Sequence, residues 1–155
     1  MTADDFMSLE AREIVTTRVF DAPRELVFEA WTDPAHLANW WGPAGFTNTF
    51  HEYDPRPGGR WRFVMHGPDG RNYDNEMLFV EIARPHRIVL DHVNAPRFRL
   101  TATFDDLRGR TKLTFRQRFE TPEICEQVKT YAAPANEEIM DKLASLLAAM
   151  APSAR

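Results

Sequence analysis

Three polar side chains stand where the sequence pattern expects apolar ones, and they are the first candidates for chemistry. His92 follows Ile88 and Leu90 in one alternating register. Glu81 and Gln117 occupy equivalent positions in two other alternating runs. An unpaired polar group facing an apolar interior costs roughly 1–3 kcal/mol, so each needs a protein partner, a water or a ligand. The alternative is that each lies at a strand end or beside a bulge, where the alternation slips.

The imidazole of His92 offers the widest chemistry of the three, because it can donate, accept or shuttle a proton near neutral pH. Paired with Glu81 or Asp91, it would form the acid and base of a cyclase or hydrolase. The sequence contains no complete catalytic constellation. We therefore assign no catalytic residue, and the pattern favours a binding role for His92.

Cofactor and metal motifs are absent from the sequence. It holds no Gly-x-Gly-x-x-Gly string, no phosphate-binding loop and no His-Glu-x-x-His pair. Cys125 has no neighbouring cysteine and lies between Ile124 and Val128, so we expect it to pack inside the protein. The sequence predicts neither a metal site nor a cofactor. The five histidines are scattered along the chain, at His36, His51, His66, His86 and His92.

Length and charge exclude several classes of protein. A chain of 155 residues fits one domain, and its net charge of −4 comes without any basic run, which argues against a nucleic-acid partner. No apolar stretch reaches the length of a membrane span. The acidic start lacks the order of a signal peptide, and a single cysteine suits a reducing compartment. We expect a cytoplasmic protein.

The apolar pattern predicts one strand, two short helices, six further strands and a long helical tail. The first strand is the β-branched run from Ile14 to Phe20. Pro23 and the pair Asp33-Pro34 are typical of helix starts. The later strands follow one another too closely for crossover helices, so the sheet is predicted to be antiparallel.

The tail carries the strongest helical pattern of the chain. We expect Pro134 to kink or interrupt it. The predicted fold is α+β: a curved antiparallel sheet of about seven strands around the long C-terminal helix, with the two short helices closing one end. A single domain over residues 12–151 would follow a flexible arm over residues 1–11. The apolar stripe of the tail consists of Ile139, Leu143, Leu146, Leu147 and Met150.

An apolar pocket is expected between the concave face of the sheet and the helix. Trp40 and Trp41 are adjacent on a helix and cannot point the same way. One of them is expected to anchor the helix to the sheet while the other borders the opening. The alternative is a solid core with no cavity. The residues predicted to bind a ligand are Trp40, Trp41, Trp61, Phe63, Met65, Met77, Phe79, Leu90, His92, Phe98, Leu100, Met140, Leu143 and Leu147.

Several local strings, together with the order of the elements, resemble the START-like, or SRPBCC, superfamily with its helix-grip fold, the fold of the birch-pollen allergens. Within it the chain resembles the bacterial branch named after the C-terminal domain of the activator of the 90-kDa heat-shock chaperone ATPase. The match covers roughly Arg12 to Met150. The strings that carry it are Phe20-Asp21-Ala22-Pro23, Val27-Phe28-Glu29-Ala30-Trp31, Asp33-Pro34, Trp40-Trp41-Gly42-Pro43, Arg56-Pro57-Gly58-Gly59-Arg60-Trp61 and Gly67-Pro68-Asp69-Gly70.

The resemblance implies an internal pocket, since members of the superfamily bind lipids, sterols, hormones or polyketides and some are cyclases. The branch name also implies a chaperone contact and a role in the stress response. In the eukaryotic activator, an additional N-terminal domain carries much of that contact, and this sequence has no Asn-Asn-Trp-His-Trp string. Three functions stay open: binding of a small hydrophobic or amphipathic molecule, a cyclase or hydrolase activity, and a protein-interaction role such as chaperone ATPase stimulation. Exposed strand edges would also suit a homodimer.

Overall fold

A computed structural model describes residues 11–150 as one sheet, two short helices and one long helix. The predicted arm lies outside the described residues except for Ala11. The order of elements agrees with the order predicted from the sequence. The elements are β1 (Glu13–Phe20), α1 (Arg24–Thr32), α2 (Pro34–Trp40), β2 (Thr47–Tyr53), β3 (Arg60–His66), β4 (Asn72–Ala83), β5 (Arg87–His92), β6 (Phe98–Leu107), β7 (Arg110–Phe119) and α3 (Pro122–Met150).

The seven strands form one antiparallel sheet in the order β1-β7-β6-β5-β4-β3-β2. From β2 to β7 every strand pairs with its neighbour in sequence, as hairpin connections require. The first strand joins the far edge by pairing with β7, from Glu13 opposite Arg118 to Phe20 opposite Thr111. The predicted curved antiparallel sheet is confirmed.

The outer face of the sheet carries ion pairs between neighbouring strands. Arg99 binds Asp91 through two nitrogens, at 2.8 and 3.0 Å. Arg118 binds Glu13 in the same way, at 3.1 and 3.0 Å. Exposed pairs of this kind add only about 0–1 kcal/mol each. They mark the face that points to solvent, so the opposite, apolar face must be covered.

Helix α3 covers that face and runs without a break for 29 residues. Pro134 lies inside it, so the expected interruption of the tail is wrong. A helix-interior proline costs about 3 kcal/mol, but each half of α3 is held by its own apolar cluster. Cys125 and Val128 pack with β1 and β7 residues, whereas Leu143 and Leu147 belong to the main core. Burial on both sides of the proline keeps the helix continuous.

The two short helices close one end of the sheet. Asp33 caps α2 by accepting a hydrogen bond from the backbone nitrogen of Ala35 at 2.9 Å. Trp31 on α1 packs edge-on against Trp40 on α2, with ring centres 5.0 Å apart. The indole nitrogen of Trp40 donates to the carbonyl oxygen of Ala30 at 2.9 Å. These contacts fix the loop that follows α2, which borders the site.

Candidate functional site

A cavity of about 760 Å³ lies between the middle of α3 and the concave face of the sheet. Strands β3 to β7 form its floor, the loops after α2 and β5 form its sides, and α3 forms its roof. It is lined by Trp41, Gly42, Pro43, Phe46, Phe63, Met65, Asn72, Tyr73, Asp74, Asn75, Met77, His92, Asn94, Ala95, Pro96, Phe98, Phe115, Gln117, Val128, Tyr131, Ala132, Ala135, Asn136 and Ile139.

Small side chains on α3 explain why the space is hollow. The α3 residues that line the cavity include the short side chains of Ala132, Ala135 and Asn136 beside Val128, Tyr131 and Ile139. One to two turns further on the helix presents Met140 and Leu143, which are fully buried in the core. Methyl groups cannot reach the floor of the sheet, whereas the longer side chains can. The cavity therefore lies under the middle of α3, between Val128 and Ile139, where the helix carries these short side chains.

Six of the fourteen predicted residues line the cavity: Trp41, Phe63, Met65, Met77, His92 and Phe98. The other eight lie in the packed core instead, each no more than 3% exposed, because the C-terminal half of α3 fills the space beside them. The expected pocket thus extends along the sheet less far than the sequence suggested. The eight core residues are Trp40, Trp61, Phe79, Leu90, Leu100, Met140, Leu143 and Leu147.

Of the two adjacent tryptophans, one lies in the core between the short helices and the other lies on the cavity wall. Trp40 is fully buried and ties α2 to α1. Trp41 lines the cavity and packs edge-on against Trp61 on β3, with ring centres 5.1 Å apart. Trp61 in turn stacks on Phe63 at 4.4 Å. The aromatic wall of the cavity is therefore backed by a second layer of rings.

His92 stands at the end of β5 with its ring on the cavity wall. The ring lies parallel to that of Phe98, at 4.7 Å between centres. Nδ1 lies 2.8 Å from the carbonyl oxygen of Pro96, and Nε2 lies 2.8 Å from Oδ1 of Asn75. Burial lowers the pKa of His92, while the backbone carbonyls of Pro96 and Asn94 act in the opposite direction. A depressed pKa favours the neutral ring at physiological pH.

A neutral imidazole carries a single N–H and can donate to only one of these two oxygens. Donation from Nδ1 to Pro96 leaves Nε2 as an acceptor, and Asn75 must then turn its amide nitrogen towards the ring. As placed, that nitrogen donates to the carbonyl oxygen of Tyr73 at 3.1 Å. The protonation of His92 and the orientation of Asn75 are therefore coupled.

Glu81 and Asp91, the two carboxylates considered as partners of His92, bind arginines instead. Glu81 contacts Arg87 through both oxygens, at 2.6 and 2.9 Å. That arginine lowers the pKa of Glu81. A register shift between Phe79 and Glu81 interrupts the alternation there, so the bulge explanation holds at this position. Asp91 is paired with Arg99 on the outer face. Neither carboxylate forms an acid–base pair with the imidazole.

Gln117 faces inward and pairs with an asparagine of the helix that sequence reasoning missed. Nδ2 of Asn136 donates to Oε1 of Gln117 at 2.8 Å and to Oγ1 of Thr16 at 3.4 Å. Gln117 is 8% exposed and Asn136 is 4% exposed. Both residues line the cavity. The roof and floor of the cavity are thus joined by a pair of side-chain amides.

A lysine on α3 holds the loop at the rim of the cavity. Nζ of Lys142 donates to the carbonyl oxygens of Gly42, Pro43 and Phe46 at 3.1, 3.4 and 3.3 Å. Burial lowers the pKa of Lys142. One turn earlier, a carboxylate oxygen of Glu138 accepts from the backbone nitrogen of Ala44 at 3.2 Å. The rim loop is therefore attached to the roof of the cavity.

The lining residues that were not in the predicted set lie on α3, on strands β4 and β7, and in the loops after α2 and β5. The α3 residues could have been recognised from the run of small residues Ala132–Ala135 and from Asn136 beside the apolar stripe. The residues of the two loops follow no periodic pattern, so the sequence could not predict that they line the cavity. The missed lining residues are Gly42, Pro43, Phe46, Asn72, Tyr73, Asp74, Asn75, Asn94, Ala95, Pro96, Phe115, Gln117 (noted only as a polar intrusion), Val128, Tyr131, Ala132, Ala135, Asn136 and Ile139.

Other kinds of site receive no support from the described chain. Within residues 11–150, no three side chains among His, Cys, Asp and Glu lie close enough together to hold a metal ion. Cys125 is buried, and burial raises the pKa of its thiol, as expected for a packed rather than a reactive cysteine. None of the helices in this part of the chain is long and apolar enough to cross a membrane.

A curved antiparallel sheet gripping a long C-terminal helix, with a cavity between them, defines a helix-grip α+β protein. The family model described as activator of Hsp90 ATPase homolog 1-like protein matches residues 21–148. This match covers most of the chain, which therefore belongs to that family. No curated protein sequence matches the chain significantly.

Solved bacterial structures share the fold over nearly the whole chain. A protein from Arthrobacter aurescens is 25% identical, with a TM-score of 0.84, covering 94% of this chain and 90% of that one. Protein Ms6760 from Mycobacterium smegmatis is 26% identical, with a TM-score of 0.82 and coverages of 92% and 95%. A protein from Rhodobacter sphaeroides is 29% identical, with a TM-score of 0.82 and coverages of 91% and 95%. The resemblance to START-like proteins is thereby confirmed at the level of family and fold.

Proposed function

We propose that the protein binds a small hydrophobic or amphipathic molecule in the cavity beneath α3. The observation that carries this proposal is the cavity itself, about 760 Å³ in volume and walled largely by apolar side chains. Ligand pockets for small molecules typically measure about 300–1,000 Å³ and combine apolar walls with a few placed polar groups. The cavity has both properties.

The aromatic residues of the wall support a flat or ring-containing ligand. Trp41, Phe63, Phe98 and Phe115 all line the space, and aromatic rings bury large apolar areas. The polar side chains His92, Asn75, Gln117 and Asn136 are already paired with protein groups. A ligand therefore meets a preformed wall, which reduces the ordering cost of binding.

We propose binding rather than catalysis because both ring nitrogens of His92 have protein partners and neither nearby carboxylate reaches them. A cytoplasmic location forms part of the proposal, since the buried Cys125 thiol suits a reducing compartment.

The proposal can be tested by titration with the uncharged fluorescent probe N-phenyl-1-naphthylamine. Ala135 lines the cavity and is half-buried, so Ala135→Leu places a larger side chain in the space. We expect this variant to weaken probe binding by about tenfold or more, because the added carbons occupy space that the probe needs next to the aromatic wall. Ala148→Leu is the matched control, since Ala148 is exposed on the same helix.

Ala148→Leu should bind the probe as the wild type does, and both variants should unfold cooperatively. Equal binding by the wild type and Ala135→Leu would place the probe elsewhere and contradict the proposal. Absence of binding by the wild type, together with a failed screen of lipids and aromatic compounds, would also contradict it.

A further inference from the structure

The two paired amides in the cavity each use only half of their hydrogen-bonding groups. Gln117 contributes Oε1 to the contact with Asn136, and Asn136 contributes Nδ2. The second Nδ2 hydrogen is directed to Thr16. The nitrogen of Gln117 and the oxygen of Asn136 have no protein partner among residues 11–150. Two unused polar atoms thus belong to side chains that are more than nine-tenths buried.

These two atoms retain access to the cavity. Within the described chain, the fully enclosed side-chain polar atoms that lack a partner belong to Arg24, Trp31, Asn48 and Trp61. The unused atoms of Gln117 and Asn136 are therefore not fully enclosed, although their residues are 8% and 4% exposed. Because both residues line the cavity, the remaining open surface of their amides faces into it.

The amide pair keeps one unused donor and one unused acceptor whichever way its two amides are turned. If both were flipped, Gln117 would donate to Asn136, leaving the nitrogen of Asn136 and the oxygen of Gln117 unused. In either arrangement one amide nitrogen and one amide oxygen of the pair remain unused. The pair offers one hydrogen-bond donor and one acceptor to whatever occupies the cavity.

The cavity offers no positive charge to an anionic ligand. None of its lining residues is lysine or arginine, and its one lining carboxylate, Asp74, is exposed to solvent, which weakens its attraction for a cationic ligand. The nearest cationic group of the rim, Lys142, is engaged by three carbonyl oxygens. Burial keeps His92 towards its neutral form. A carboxylate or phosphate placed inside would lose its hydration without gaining a partner charge, which is costly.

We infer that the cavity selects an uncharged amphipathic ligand whose polar end both donates and accepts a hydrogen bond, such as a hydroxyl or a carboxamide. The polar end pairs with Gln117 and Asn136, and the apolar body lies against Phe115 and the neighbouring aromatic wall. This inference rests on the proposed binding function and specifies the chemistry of the ligand.

A series of naphthalene probes with one varied substituent tests the inference. The probes are naphthalene, 2-naphthol, 2-naphthamide, the 2-naphthoate anion and the 2-naphthylmethylammonium cation, measured by titration calorimetry. We expect the wild type to bind naphthamide and naphthol at least about tenfold more tightly than either ion. This preference for the uncharged polar probes should depend on Gln117 and Asn136.

Gln117→Met keeps the length and burial of the side chain but removes both of its polar atoms. In this variant the affinity for naphthol relative to naphthalene should fall by about tenfold, because the polar end then loses one of its two amide partners. Asn136→Leu should cause the same loss and serves as the second variant. Thr16→Val is the control, because it alters a neighbour of Asn136 that does not line the cavity. Its affinity for naphthol relative to naphthalene should stay within about twofold of the wild-type value.

The outcomes separate this inference from the proposed function. If naphthalene binds but Gln117→Met leaves the relative affinity for naphthol unchanged, the role of the amide pair is refuted and the binding function stands. Tightest binding of naphthoate or of the ammonium probe would likewise overturn the inference. If no probe binds the wild type, the inference and the proposed function both fail.

Discussion

The ammonium group of Lys142 lies 3.1 Å from the carbonyl oxygen of Gly42, one hundred residues away in the chain. Two further carbonyl oxygens, of Pro43 and Phe46, complete its surroundings. A backbone turn that exposes three carbonyls towards the same point needs a donor there, and an ammonium group supplies three hydrogens. Lys142 thus attaches the rim of the cavity to the roof, together with the contact from Glu138 to Ala44.

Lys142→Met should loosen the rim loop while keeping the apolar part of the side chain. We expect the free energy of unfolding to fall by about 1–2 kcal/mol, since hydrogen bonds to a half-buried charged group are lost. Urea denaturation measures this change. Lys129→Met alters an exposed lysine of the same helix and should shift stability by less than about 0.5 kcal/mol. Equal effects of the two substitutions would refute the role assigned to Lys142.

The stability of the protein should depend on pH through His92. Burial lowers its pKa from the usual 6.5, so the unfolded chain holds the proton more tightly than the folded one. The stability that comes from the neutral ring is complete above pH 6.5 and is lost as pH falls through the lower pKa of the folded state. We expect the free energy of unfolding, measured by urea denaturation, to fall more between about pH 7.5 and about pH 5 in the wild type than in His92→Gln. Identical losses would contradict the depressed pKa.

Truncating a side chain should lower the free energy of unfolding more in the packed part of the core than on the wall of the cavity. Leu143 is fully buried in the core, and Leu143→Ala should cost about 3 kcal/mol of unfolding free energy. Met65 is half-buried on the cavity wall, and Met65→Ala should cost only about 1 kcal/mol because one side of the residue already lacks packing partners. Denaturant unfolding compares the two. A Met65→Ala cost as large as that of Leu143→Ala would indicate a filled cavity.

The single cysteine should be protected in the native protein. Cys125 is buried between α3 and β7, and burial raises the pKa of its thiol, so little reactive thiolate is available. Ellman's reagent should modify the native protein slowly and should titrate one thiol at once in denaturant. Rapid labelling of the folded protein would show that the first turns of α3 open readily.

The fold could be predicted because period-two and helical patterns are strong in this chain. The alternation of β6 and β7 separates inward from outward residues, and the stripe around Leu143 identifies the helix. The interruption of α3 predicted at Pro134 is wrong, because sequence alone does not reveal that the two halves of the helix are buried against different clusters. Tertiary burial outweighed the local cost of the proline.

The position of the cavity could be predicted only in part. A sequence pattern identifies which residues face inward but not how far opposing side chains reach across the space. Leu100 and Phe63 both point inward from the sheet, yet only Phe63 lines the cavity, whereas Leu100 is fully buried in the core. The pairing of Gln117 with Asn136 joins a strand to a helix, and no local rule gives that contact.

Helix α3 follows every strand in the chain, and this order has a consequence during synthesis. At about 5–20 residues per second, the 29 residues of the helix take roughly 1.5–6 s to be made. Throughout that interval the helix does not yet cover the apolar face of the completed strands. Under the proposed function, a ligand held on the uncovered sheet during synthesis would be enclosed as the helix docks, without having to enter the finished cavity from outside.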